Sequence, residues 1–131
     1  MKISFPEHCG NSPKKILLID LYKAVTTDDY DFILSNLEDK VRVNIVGDGE
    51  IRGKENVVSV LRELVAKGLK EIEINDAITH GNTAAVHGVW IFNNELRLDF
   101  CDVYRFKGFG KKAKIGEITS YLINPGHHKI F

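Results

Sequence analysis

Cysteine, proline and long apolar runs are all scarce in this sequence. It holds two cysteines in 131 residues, Cys9 in a stretch without apolar period and Cys101 in a strand-like one. A disulfide framework is therefore not expected, and reduced thiols in a cytoplasmic protein are the reading adopted. No apolar run is longer than four residues, as at 16–19, far short of the roughly 20 that span a bilayer. The opening Met-Lys-Ile-Ser-Phe-Pro lacks the apolar stretch and small-residue cleavage site of a signal peptide. An excess of charge of either sign is missing too, since 18 basic residues balance 18 acidic ones. No strong field pulls the chain toward nucleic acid or a membrane surface, and neither partner is expected. Repeats and low-complexity segments are also absent.

What is present is patterned. An apolar share of 44% and a charged share of 27% suit one folded domain with one core. Residues 1–11, with Pro6, Gly10 and Asn11, show no apolar period and read as a flexible tail; 125–131 read as a second. Between them, 12–124 form the domain. Ser12 and Pro13 look like a helix start, and Leu17, Leu18, Leu21, Tyr22 and Val25 make a stripe at helical spacing. Thr27, followed by Asp28 and Asp29, opens a second helix, where negative charge suits the N-terminal dipole. Residues 41–46 alternate like a half-buried strand and Gly47-Asp48-Gly49 breaks it. A third helix after Gly53 turns Val57, Val58, Leu61, Leu64 and Val65 inward. Ile72, Ile74 and Ile78 then alternate on a strand, and further strands are expected at 83–92, 95–106 and 115–123, joined by turns at His80-Gly81-Asn82, Asn93-Asn94 and 107–112. The expected fold is α+β: a curved, antiparallel, mixed-edge sheet packed against three N-terminal helices, in the order ααβαββββ.

Glu95 to Phe106 carries the strongest chemical signal. Its even positions are Leu96, Leu98, Phe100, Asp102, Tyr104 and Phe106, and alternation puts all six on one strand face. A carboxylate in such a row is costly unless it is hydrogen-bonded, paired or near water. Either the fold satisfies it or it borders a cavity, and a curved sheet closed by helices favours a cavity.

Residues 98–106 (LDFCDVYRF) and then 114–121 (KIGEITSY), with 51–57 (IRGKENV) and 26–30 (TTDDY) ahead of them, together resemble SnoaL-like proteins of the nuclear transport factor 2-like superfamily, which includes ketosteroid isomerase. The resemblance runs from about Ser12 to Ile123 in the same element order, and it implies the cone-shaped fold rather than any one function. It places Asp102 where the isomerase keeps a protonated acid that donates to a developing oxyanion. The isomerase's base falls on Asn44, whose amide cannot abstract a proton. Its oxyanion tyrosine falls near Leu21, with Tyr22 adjacent and turned about 100° away. Steroid isomerase chemistry is therefore not expected. Limonene epoxide hydrolases of this fold use an Asp-Arg-Asp set, and no arginine shares the face of Asp102.

The expected site is a pocket for a small apolar molecule. Asp102, Asn44 and Tyr22 are its candidate catalytic groups, and Trp90, Phe100, Leu98, Tyr104, Gly88, Val86, Ile118 and Leu122 its candidate ligand contacts. Gly88 is taken to leave space beside Trp90, which either stacks on a ligand or simply fills the core. If the protein is an enzyme, proton transfer of the isomerase, cyclase or dehydratase kind follows. The other reading is a non-catalytic ligand-binding or dimerisation module. A homodimer is expected through the opposite sheet face, where Val89, Ile91, Cys101 and Val103 lie. No cofactor or metal is expected, because His127 and His128 have no third ligand at a diagnostic spacing. Asp76 and His80 share a strand face beside a turn and are read as exposed.

Overall fold

The computed structural model describes residues 1–6, 12–108, 110 and 112–124. Cys9, Lys111, His127, His128 and the expected C-terminal tail lie outside the described residues. Helix α1 (Pro13–Thr26) begins with the expected proline and buries Leu18, Ile19, Leu21, Tyr22, Ala24 and Val25. Each Leu, Ile or Val removed from water contributes about 1.5–3 kcal/mol, so this wide stripe is what docks the helix on the sheet. Ser12 does not cap α1 with its side chain; its Oγ meets Thr79 Oγ1 at 3.3 Å. Thr27 closes α1 rather than opening the next helix, its N–H donating to the Lys23 carbonyl at 3.1 Å. Helix α2 (Tyr30–Ser35) starts three residues later, capped by the Asp29 carboxylate, which accepts from the Phe32 N–H at 3.3 Å.

Seven strands form one mixed sheet: β1 (Lys2–Ser4), β2 (Leu37–Ile45), β3 (Gly49–Arg52), β4 (Leu69–His80), β5 (Thr83–Phe92), β6 (Arg97–Phe106) and β7 (Ile115–Ile123). Helix α3 (Lys54–Ala66) lies between β3 and β4 in the chain. The spatial order is β1-β4-β5-β6-β7-β2-β3. Neighbours pair antiparallel, except that β1 runs parallel to β4 and β2 parallel to β7. Three helices on a curved α+β sheet match the expected class.

Two strands escaped the sequence reading. Lys2–Ser4, inside the expected tail, pair with Glu71, Ile72 and Glu73. Residues 49–52, read as a break and a turn, form a hairpin with β2. Gly47 and Gly49, at φ 88° and 124°, let the chain reverse where a residue with a Cβ would be strained. Ile51 is thereby turned back onto the core cluster.

The β4–β5 ladder slips between Ile74 and Asp76. An extra residue in one strand reverses the sense of alternation beyond it. Ala77 is accordingly buried, whereas Ile78 is 60% exposed and does not share the face of Ile72 and Ile74. Gly88 pairs with Ile74 at this irregularity, and a Cβ added there would lie 1.9 Å from the Glu73 carbonyl oxygen. The glycine is filled by neighbouring backbone and leaves no space beside Trp90, which corrects the sequence reading. Gly88→Ala should therefore destabilise the fold by about 3 kcal/mol. A lowered urea midpoint with unchanged slope would show it; an unchanged midpoint would contradict the close approach.

Candidate functional site

The helices and the concave face of the sheet enclose a chamber of about 130 Å³. For scale, an apolar protein cavity of about 150 Å³ holds benzene. Leu21, Tyr22 and Val25 of α1, Val57, Val60, Leu61 and Leu64 of α3, and Trp90, Leu98, Ile118 and Leu122 of the sheet line much of it. The half-buried liners Ile51, Val60, Leu61, Ile118, Ser120 and Leu122 come from β3, α3 and β7, so the chamber meets solvent on that side. Among the described residues, no lysine, arginine or histidine lines the chamber.

Asp102 is the buried charged residue of the described core, 7% exposed. Ser120, directly across on β7, donates from Oγ to Asp102 Oδ1 at 2.7 Å. Tyr22 arrives from α1 and donates from Oη to Asp102 Oδ2 at 2.6 Å. The same Tyr22 oxygen lies 2.5 Å from Tyr104 Oη, which shares Asp102's strand face two residues on. The carboxylate thus has hydroxyl partners but no countercharge in the chamber. Burial pushes its pKa above the ordinary carboxylate range, against the pull of the hydrogen bonds from Tyr22 and Ser120. Burial, and next the charge of Asp102, hold both tyrosine pKa values well above the usual phenol value. Both phenols therefore keep their protons at neutral pH.

Phe100 holds this cluster in shape. Its ring stacks on Tyr22 at 5.6 Å and 30° and meets Trp90 edge-on at 5.7 Å and 69°. Trp90 lines the chamber, and its Nε1 is buried without a hydrogen-bond partner.

Several expected site residues do converge: Asp102, Tyr22, Trp90, Leu98, Tyr104, Ile118 and Leu122 all line the chamber. Phe100 sits behind the lining as a wedge, and Val86 is buried opposite Asp102 on β5. Asn44 is exposed and points out of the chamber with Arg42, while Val43 and Ile45 point in; strand parity removes it from the site. The residue missed is Ser120, although it lies between Ile118 and Leu122 in the same alternating row. On the outer face, Cys101 is a free thiol whose pKa burial raises, with a further push from Asp102. Asp76 and His80 are exposed. No group of three or more His, Cys, Asp or Glu able to hold a metal occurs among the described residues. Among the described residues, no helix is long and apolar enough to cross a membrane.

A family model for the SnoaL-like domain matches residues 18–115. No curated protein matches the chain in sequence. Among solved structures, an NTF-2 like protein of unknown function from Burkholderia xenovorans LB400 superposes with a TM-score of 0.73 at 16% identity, over 89% of this chain and 88% of that one. A protein described as a SnoaL-like polyketide cyclase, from Shewanella denitrificans OS-217, gives 0.70 at 12%, over 86% and 92%. An LEH-like epoxide hydrolase from M. tuberculosis gives 0.62 at 20%, over 82% and 80%. At such identities these likenesses speak for the fold alone.

The raised pKa of Asp102 has a signed consequence for stability. Its folded value lies above its unfolded one, so its favourable contribution is complete below the unfolded value and is lost as pH rises through the folded value. Asp102→Asn, uncharged throughout, should gain on the wild type in stability as pH rises from about 4 to about 8. Urea denaturation across that range checks the sign, and a gap that narrows instead would refute it. Tyr22→Phe leaves the buried acid short of a donor and should cost about 1–3 kcal/mol at neutral pH by the same assay.

Proposed function

Since this chain belongs to the SnoaL-like domain family, we propose that its chamber binds a small, largely apolar molecule of about one ring's bulk and orients it by one oxygen. One observation carries this reading: apart from the Trp90 indole N–H, the described lining residues are apolar except for one connected cluster, Asp102, Tyr22, Tyr104 and Ser120. Apolar contact supplies the affinity in such a site, and a few convergent polar groups supply the orientation. Any chemistry is proton transfer of the isomerase, cyclase or dehydratase kind, with Asp102 as the acid or base and Tyr22 assisting. Asn44 has no part in it.

The second reading, a non-catalytic ligand-binding or dimerisation module, also has an observation in its favour. Both carboxylate oxygens of Asp102 are already engaged by protein hydroxyls, and the described lining residues include no second carboxylate or histidine. The binding step is common to both readings.

A benzene-sized hydrocarbon such as ethylbenzene should bind with a dissociation constant of about 1 mM or below. Leu61→Phe, which fills the chamber from α3, should weaken it at least about tenfold. Titration calorimetry reads both, and a wild type that takes up no hydrocarbon would defeat the proposal.

We also propose a cytoplasmic homodimer, paired through the convex sheet face. Ile78, Tyr121 and Ile123 are exposed there, beside half-buried Ile91, Cys101 and Val103. Val89 is already buried within one copy. Sedimentation at micromolar concentration should give a dimer, and Val103→Arg a monomer; a monomeric wild type would overturn the pairing.

A further inference from the structure

The hydroxyls around Asp102 can be counted proton by proton. Tyr22 Oη carries one proton and faces two oxygens, Asp102 Oδ2 at 2.6 Å and Tyr104 Oη at 2.5 Å. At these separations each gap holds a hydrogen. When Asp102 is ionised, the Tyr22 O–H must donate its hydrogen bond to Oδ2. The Tyr104 O–H must then donate to Tyr22 Oη, and Tyr104 Oη keeps only lone pairs for the chamber. When Asp102 gains a proton from solvent on Oδ2, that O–H donates to Tyr22. Tyr22 then turns its hydrogen to Tyr104, and the Tyr104 O–H is released. No covalent bond changes except the one formed on Asp102.

Resting on the chamber reading above, we propose that Tyr104 Oη, rather than Asp102, is the group that meets the ligand's oxygen, and that the protonation of Asp102 decides whether it donates or accepts. The ligand class follows. With Asp102 neutral the chamber selects apolar molecules with a bare acceptor, such as a ketone or ether. With Asp102 ionised it selects those that bring an O–H, such as a phenol or enol.

Little else bears on this switch. Tyr22 faces Asp102 from α1, Tyr104 from its own strand and Ser120 from β7, while Val86 stands opposite on β5. Cys101 lies on the other face of β6. The lining residues of α2, α3, β2 and β3 are all apolar. Burial raises the Asp102 pKa, which moves the switch toward neutral pH. A proton on Oδ1 would release the Ser120 hydroxyl instead. The path through Oδ2 is the one assigned because there the acid's O–H, Tyr22 and Tyr104 donate in series and each bond polarises the next.

Calorimetry on the full chain with ethylbenzene, acetophenone and phenol tests the proposal. Acetophenone should gain about threefold to tenfold over ethylbenzene as pH falls from about 8 to about 5, and phenol should lose ground by a similar factor. Asp102→Asn, whose amide N–H can take the place of the neutral acid's O–H, should hold the acetophenone preference constant with pH. Tyr104→Phe should erase the pH dependence of the acetophenone-to-ethylbenzene ratio, whereas Ser120→Ala should keep it. A pH dependence that survives Tyr104→Phe, or disappears in Ser120→Ala, overturns the assignment. The pH series on the wild type decides the matter even if a variant fails to fold, because a flat ratio also overturns it. Ethylbenzene binding without discrimination defeats this inference alone; no uptake of any probe defeats the chamber reading as well.

Discussion

A carboxylate with no countercharge, held only by hydroxyls, is the constraint on which this structure turns. Asp102 sits among apolar side chains, where an unsatisfied acid would be prohibitive. Its partners are delivered by separate elements, Tyr22 by α1, Tyr104 by β6 and Ser120 by β7. Satisfying one acid therefore fixes the seat of the first helix on the sheet and the register of two adjacent strands. Phe100 adds packing to the hydrogen bonds, its ring stacked on Tyr22 and edge-on to Trp90. The same group that anchors the fold is the charged group among the described lining residues, so stability and recognition share their atoms here.

Much of this was legible in the residues themselves, and the reasons are physical. Six alternating side chains on 95–106 placed Asp102 and Tyr104 on the inner face, because strand parity is strict where no bulge intervenes. The helical stripe placed Tyr22 inward beside Leu21, since a buried helix face is about 100° wide or more. Asn44 shows the opposite case. Its own alternation groups it with Arg42 and against Val43 and Ile45, yet counting along a resemblance assigned it a place in the site. Local period was the better guide. Ser120 was just as available, between Ile118 and Leu122, but a serine in an apolar row draws less attention than an aspartate.

What the sequence hid was backbone geometry that no side-chain period encodes. The slip between Ile74 and Asp76 reversed Ile78, and only the partner strand reveals it. Gly88 has the composition of a gap and the environment of a close contact. The two short strands β1 and β3 depend on pairing with distant or reversed chain, and three or four residues carry too little period to announce it. The two parallel pairings, β1 with β4 and β2 with β7, are likewise products of chain return.

The chain's one tryptophan stands in the wall of the chamber, and this makes the protein its own spectrometer. Indole emission depends on the polarity and hydrogen bonding of its immediate surroundings, and no second tryptophan dilutes the signal. Trp90 Nε1 has no hydrogen-bond partner in the protein, so a molecule entering the cavity beside the indole would change its emission. Occupancy of the site can thus be followed in the unlabelled, unmodified protein.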